Sequence, residues 1–240
     1  EVSFAGIPLF ASVSFAFLTY FGYSAARTLL SPLVRRKMDV LRVERESHRR
    51  SFGVLVLGML IVVWMDVVID PVSLLGPHWF LGDLYHYKPA SLSHLGVPLS
   101  NYAGWAVTAA TIIYVNQLAD SWLTRRLGAP RLPHVPLKAL MGVFACLGVF
   151  VFICGISLSL SLSTTPQVAN AGALTLYSAM VFTSLFVVLA LVKVRYRVSR
   201  TTAEHVRSHV LDFRSRVLAH RLMGRAGLRL LRTLDRENRR

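Results

Sequence analysis

Two carboxylates four residues apart, Asp66 and Asp70, stand at the end of an apolar run in WMDVVIDPVSLLGPHW, residues 64–79. On a helix that spacing places them on one face, one above the other. There they repel, so a stable arrangement needs a proton, a cation or water. Burial disfavours the ionised form of a carboxyl group, and so does a second negative charge beside it. One of the pair is therefore expected to hold a proton near neutral pH, and an acid inside an apolar segment is a candidate proton donor. The plainer reading is that Asp70, followed by Pro71, ends a helix in a turn, while Asp66 pairs with a polar group of another helix.

Other groups with chemical potential cluster downstream. The connection over residues 70–100 carries Pro77, His78, Trp79, Phe80, Asp83, Tyr85, His86, Tyr87 and His94. Trp and Tyr at a membrane interface act as anchors, which accounts for most of these. His78, His86 and His94 are eight residues apart, a spacing that groups no metal ligands, and no metal site is expected. Next comes GVPLSNYAGW, residues 96–105, in which Gly96 and Pro98 shape a turn and Asn101 is placed to cap the following helix. The chain has no GxSxG, P-loop or dinucleotide fingerprint, which argues against acyl transfer, nucleotide hydrolysis and bound NAD or FAD. Cys146 and Cys154, two helical turns apart, read as small core residues.

The elements that must hold these groups follow from composition. Of 240 residues, 54% are hydrophobic, and the mean hydropathy is +0.51, well outside the range of an ordinary soluble domain. Five stretches approach the roughly 20 residues a helix needs to cross a bilayer: 3–30, 52–69, 102–118, 139–163 and 171–192. Backbone groups at that depth must bond within their own helix, so the fold is expected to be all-α, a polytopic transmembrane bundle of about five spans. Gly53, Gly58, Gly104, Gly142, Gly148, Ser157 and Ser159 fit close helix packing. No basic segment precedes the first apolar run, so it does not read as a secretory signal peptide. Because the first residue is Glu1 rather than Met, upstream sequence is expected.

Charge supplies a topology. Eight of the 27 Lys and Arg lie within residues 27–50, four within 125–138 and fourteen from Lys193 onward, leaving only Lys88 elsewhere. The positive-inside rule then puts the start of the chain and residues 70–100 outside and the C-terminus in the cytoplasm. Two units are expected: a transmembrane domain over 1–195 and a basic cytoplasmic tail over 196–240. In the tail, Val206, Val210, Phe213, Val217 and Leu222 recur at helical spacing, while Arg207, Arg214, Arg221 and Arg225 repeat on another face. Such an amphipathic helix suits the anionic headgroup plane of a bilayer. Without a recognition motif, its positive charge does not point to nucleic acid.

DVVIDPV (66–72), the Gly76/Trp79 region and GVPLSNYAGW together resemble the signature of the CruF-type carotenoid hydratases, a carotenoid-biosynthesis family of integral membrane proteins that includes bisanhydrobacterioruberin hydratase. GIPLFASVSFAF, residues 6–17, resembles a helix opening in that family, with Phe15 where the family usually has Trp. The resemblance implies addition of water to the terminal C=C bond of an acyclic carotenoid, giving a tertiary alcohol, by a hydro-lyase that needs no cofactor and no metal. Hydration of such an alkene requires an acid, a pocket that tolerates a tertiary cation, and a base that activates water. Asp66 is then the expected proton donor and Asp70 its partner or the water activator. Tyr85 and Asn101 are expected to position water, and Trp79 and Trp105 to face the cation. The expected partners are the polyene substrate, the bilayer and anionic lipid headgroups at the tail. Three alternatives stay open: a proton-coupled transporter, a membrane scaffold, and an isomerase or cyclase acting through the same cation.

Overall fold

The computed structural model describes residues 3–4, 7–36, 39–42, 50–79, 82, 86–88, 91–127 and 135–195. Tyr85, Asp83 and the basic tail lie outside the described residues. Five long helices make the fold all-α: α1 (Leu9–Leu30), α2 (Phe52–Ser73), α3 (Leu99–Leu127), α4 (Met141–Ser161) and α5 (Pro166–Arg195). Three of the apolar segments, Phe52–Ser73, Lys138–Ser161 and Pro166–Lys193, are long and apolar enough to cross a membrane, as expected of a membrane protein. α3 falls short of that measure for a compositional reason: it carries Asn101, Asn116, Gln117 and Asp120 and ends in Arg125 and Arg126.

α2 is the helix on which the others lean. Ser51 caps it, its hydroxyl accepting from the Val54 amide at 3.2 Å. At the other end the helix does not stop at Asp70. Pro71 lies inside it and the last turn runs to Ser73, whose hydroxyl donates to the Asp70 carbonyl at 2.8 Å. Pro71 has no N–H to give the carbonyl four residues earlier, so the helix runs through it at the loss of one backbone bond. Asp66 and Asp70 therefore share one helical face, and the expected turn at Asp70 does not form.

Two glycines bring the neighbouring helices close to α2. A Cβ on Gly22 of α1 would stand 2.7 Å from Val62, and one on Gly58 of α2 would stand 2.9 Å from Ile113 of α3 and 3.4 Å from the Tyr23 backbone. Gly58 thus marks the crossing of three helices. Gly104 and Gly148, also expected at helix contacts, have open space around them instead. Aromatic rings close the opposite side of α2: Trp64 meets Phe182 and Phe186 of α5 edge-on, at centroid distances of 6.0 and 6.3 Å, and Phe186 lies 5.3 Å from Phe150 of α4. Cys146 is buried in this core, and Cys154 lies 3.7 Å from the Thr183 hydroxyl.

Short hairpins tie the helix ends. β1 (Ser3–Phe4) pairs with β2 (Ile7–Pro8), and β3 (Leu33–Arg36) pairs antiparallel with β4 (Asp39–Arg42), Leu33 opposite Arg42. Arg42 reaches back to the Thr28 hydroxyl at 3.1 Å, and Thr28 donates to the Ala139 carbonyl just before α4. At the other end of the bundle, β5 (Ser93–His94) pairs with β6 (Val97–Pro98) around Leu95 and Gly96, with φ values of 48° and 87°. Two successive positive φ values are those of a type I′ hairpin turn, and Gly is the residue that adopts its second position without strain.

That hairpin delivers the chain directly into α3 and is itself tethered by His94. One ring nitrogen of His94 lies 3.1 Å from the Tyr102 hydroxyl of α3, the other 3.4 Å from the Ser178 hydroxyl of α5. Burial holds the imidazole below its ordinary pKa. The unfolded chain accepts a proton at the ordinary value of about 6.5, whereas folded His94 accepts one only at lower pH. Across that interval the unfolded state binds more protons, so acidification favours unfolding. His94→Asn should flatten this part of the stability curve. Thermal unfolding of the full chain in detergent on both sides of that pH checks it: equal pH dependence in both proteins would contradict the reading.

Candidate active site

At the hairpin end of the bundle, α2 and α3 meet through polar side chains. Asp66 and Asp70 are 1% and 3% exposed, which is deep burial for acidic side chains. Asn101, in the first turn of α3, points its side-chain nitrogen between them, 3.1 Å from Asp66 Oδ2 and 2.7 Å from Asp70 Oδ2. The two N–H bonds of one primary amide are enough for one bond to each acid. The reverse orientation would set the amide oxygen against two acid oxygens, so the nitrogen faces the pair.

A further donor comes from the connection after α2. The Tyr87 hydroxyl donates to Asp70 Oδ2 at 2.9 Å, so that oxygen accepts from both the amide and the phenol. Asp66 Oδ1, in contrast, is buried with no hydrogen-bond partner among the described residues. A buried oxygen in that condition is costly. At the other end of α3, Gln117 donates to the Ser51 carbonyl at 3.4 Å, which sets the register of the two antiparallel helices.

Beside the pair opens a cleft of about 310 Å³. Phe15, Trp105, Pro98 and Gly104 form its apolar walls, and Tyr87, Asn101 and Ser100 supply its polar groups. Neither Asp66 nor Asp70 is among the lining residues, whereas Tyr87 and Asn101 touch both the cleft and the acids. Phe15 of α1 stacks on Trp105 of α3 with centroids 3.7 Å apart and planes 17° from parallel. One face of the Trp105 ring is thereby covered by Phe15. A Cβ added at Gly104 would meet nothing within 4 Å, so the cleft has room along α3 there.

The residues singled out from sequence are distributed as follows. Asp66, Asp70 and Asn101 form one hydrogen-bonded group, and Trp105 lines the adjoining cleft. Asn101 does not serve as the helix cap that its position suggested: it lies within α3 and its amide is directed to the acids. Trp79 is buried in the apolar core, 6% exposed, and is not among the cleft residues. Tyr85 lies outside the described residues. Sequence reasoning passed over Tyr87, two positions along, because three tyrosines and histidines in a row offer no period that selects one. Phe15 stood out only as a departure from the expected Trp. Among the described residues no three His, Cys, Asp or Glu side chains converge, so the acid pair has no third ligand of that kind beside it.

A family model described as "Carotenoid biosynthesis protein" matches residues 2–170, more than half of the chain. No curated protein and no solved structure matches it.

Asn101 and Asp70 should be energetically coupled. Asn101→Ala removes a donor from two buried oxygens and should cost about 1–3 kcal/mol of stability. In a double-mutant cycle with Asp70→Asn, read by thermal unfolding, the two effects should depart from additivity by more than about 0.5 kcal/mol. Additive effects would show that the bridge contributes nothing to the fold.

Proposed function

This chain belongs to the carotenoid biosynthesis protein family, and from that premise we propose that it adds water across the terminal C=C bond of an acyclic carotenoid end, giving a tertiary alcohol. The observation that carries this reading is the buried acid pair clamped by Asn101 beside an apolar, aromatic-walled cleft. An electron-rich trisubstituted alkene needs a proton delivered to its less substituted carbon. Water then attacks the tertiary cation left on the other carbon. The pair, sharing one proton, provides the acid in one half of the reaction and the base in the other. Asp66 is the donor and Asp70 its partner. Trp105, in the cleft lining, offers its ring to the passing cation, and Asn101 holds the two carboxyl groups in register. The chemistry consumes only the alkene and water, so it needs neither a redox cofactor nor a metal.

The substrate class matches the surroundings. A long polyene dissolves in the bilayer and would reach the cleft from between helices, along the open space at Gly104. We place residues 70–100 and the acid pair toward the non-cytoplasmic face, with the basic tail among anionic headgroups on the cytoplasmic side. Residues 1–195 form the membrane domain in this reading, and 196–240 its peripheral tail.

The test is expression of the full chain in a bacterium that accumulates lycopene or a related acyclic carotenoid, with pigments read by mass spectrometry. The expected product gains the mass of one water per modified end, and Asp66→Asn loses it. Isomerised or cyclised pigment of unchanged mass would instead assign the same cation a different fate. Unchanged pigment from well-inserted protein would sink the hydratase reading for these substrates.

A further inference from the structure

The proton must pass from a buried acid pair to an alkene in a cleft that neither acid lines. Among the described residues, Asn101 and Tyr87 touch both compartments. Asn101 holds the acids through its side-chain nitrogen, and an amide N–H is far too weak an acid to protonate carbon. Tyr87 differs in chemistry. A phenol both donates and accepts hydrogen bonds and has an ordinary pKa near 10. Its hydroxyl is 2.9 Å from Asp70 Oδ2, within reach for proton transfer, while its side chain helps to line the cleft. Ser100 also lines the cleft and carries a hydroxyl, whereas Tyr87 combines its place in the lining with a hydrogen bond to the Asp70 carboxylate.

We propose that Tyr87 is the catalytic residue that passes the proton from the Asp66/Asp70 pair to the substrate. This rests on the hydration reading and adds to it the group that meets the alkene. In the step, the Tyr87 O–H bond breaks and its proton forms a C–H bond with the π electrons at the less substituted carbon. The proton held by Asp66 passes through Asp70 to the phenolic oxygen, so the phenol ends the step unchanged. Water forms the C–O bond at the tertiary cation, and its surplus proton returns to the emptied carboxylate. One alkene and one water give one alcohol, with no change of oxidation state in the protein. The pair is the store of the proton, and Tyr87 is its outlet.

The experiment compares the native full chain with Tyr87→Phe, reconstituted in lipid nanodiscs with an acyclic carotenoid, measuring kcat, KM and thermal midpoint. Phe keeps the ring and its packing and removes only the hydroxyl. The expected result is a fall in kcat of about 100-fold or more, in the range of a lost general acid, with KM and thermal midpoint little changed. A second variant carries 3,5-difluorotyrosine at position 87, which keeps the hydroxyl and makes it more acidic. Its kcat should change and the dependence of kcat on pH should move to lower pH. If Tyr87→Phe fails to fold, this variant decides alone. A kcat within about two-fold of native in Tyr87→Phe, or an unmoved pH profile with the fluorinated residue, overturns the relay and leaves the acid pair in place. Absence of hydrated product from the native chain overturns the hydration reading, and the relay falls with it.

Discussion

One side-chain amide stands between two buried carboxylates, and the arrangement at this end of the bundle depends on it. Moving an ionised carboxyl group out of water costs several kcal/mol even after relaxation, and two side by side repel as well. Asn101 meets both acids with one rigid group, and Tyr87 adds a second donor to Asp70. The remaining polarity, concentrated at Asp66 Oδ1, is left without a hydrogen-bond partner among the described residues. A core built for stability alone would place apolar side chains here. What the pair offers is chemical: acids positioned next to a cleft, in surroundings that strengthen whatever charge develops.

The rest of the architecture can be understood as the means of keeping Asn101 opposite the acids. α2 continues through Pro71 instead of turning at Asp70, so both carboxylates stay on one face. The type I′ turn at Leu95–Gly96 swings the chain into α3, and His94 fastens that hairpin to α3 and α5. Gln117 and Ser51 fix the opposite end of the α2–α3 pair. Gly22 and Gly58 let α1 and α3 approach α2 closely enough for Phe15 to reach Trp105 across the cleft. A shift of one residue in α3 would turn Asn101 by about 100° around its helix and break the bridge.

Much of this was legible in the residues themselves. The i, i+4 spacing of Asp66 and Asp70 placed them on one face because any helix would, and the length and apolarity of the chain selected helices over sheet. Asn101 was legible as important but not for its role, since a polar residue beside a turn reads first as a cap and only tertiary structure brings another helix within its reach. The extent of α2 was misread at Pro71, where a local rule about the residue before proline gave way to packing. Five apolar stretches did become five helices, and α3, which carries Asn101 to the acid pair, is the most polar of them. Tyr87 was out of reach for a different reason. Irregular connections have no period, so nothing in the local pattern separates one tyrosine from its neighbours.

The central claim is that protein acids put a proton on carbon and that water, not another oxygen source, supplies the hydroxyl. Running the native full chain on an acyclic carotenoid in heavy water that is also enriched in oxygen-18 tests both halves at once. The account predicts one carbon-bound deuterium, which back-exchange does not remove, on the carbon next to the new alcohol carbon, in a product heavier than the substrate by one molecule of that water before its hydroxyl re-exchanges. An oxygenated product without carbon-bound deuterium at that position, or without the oxygen label, would contradict it.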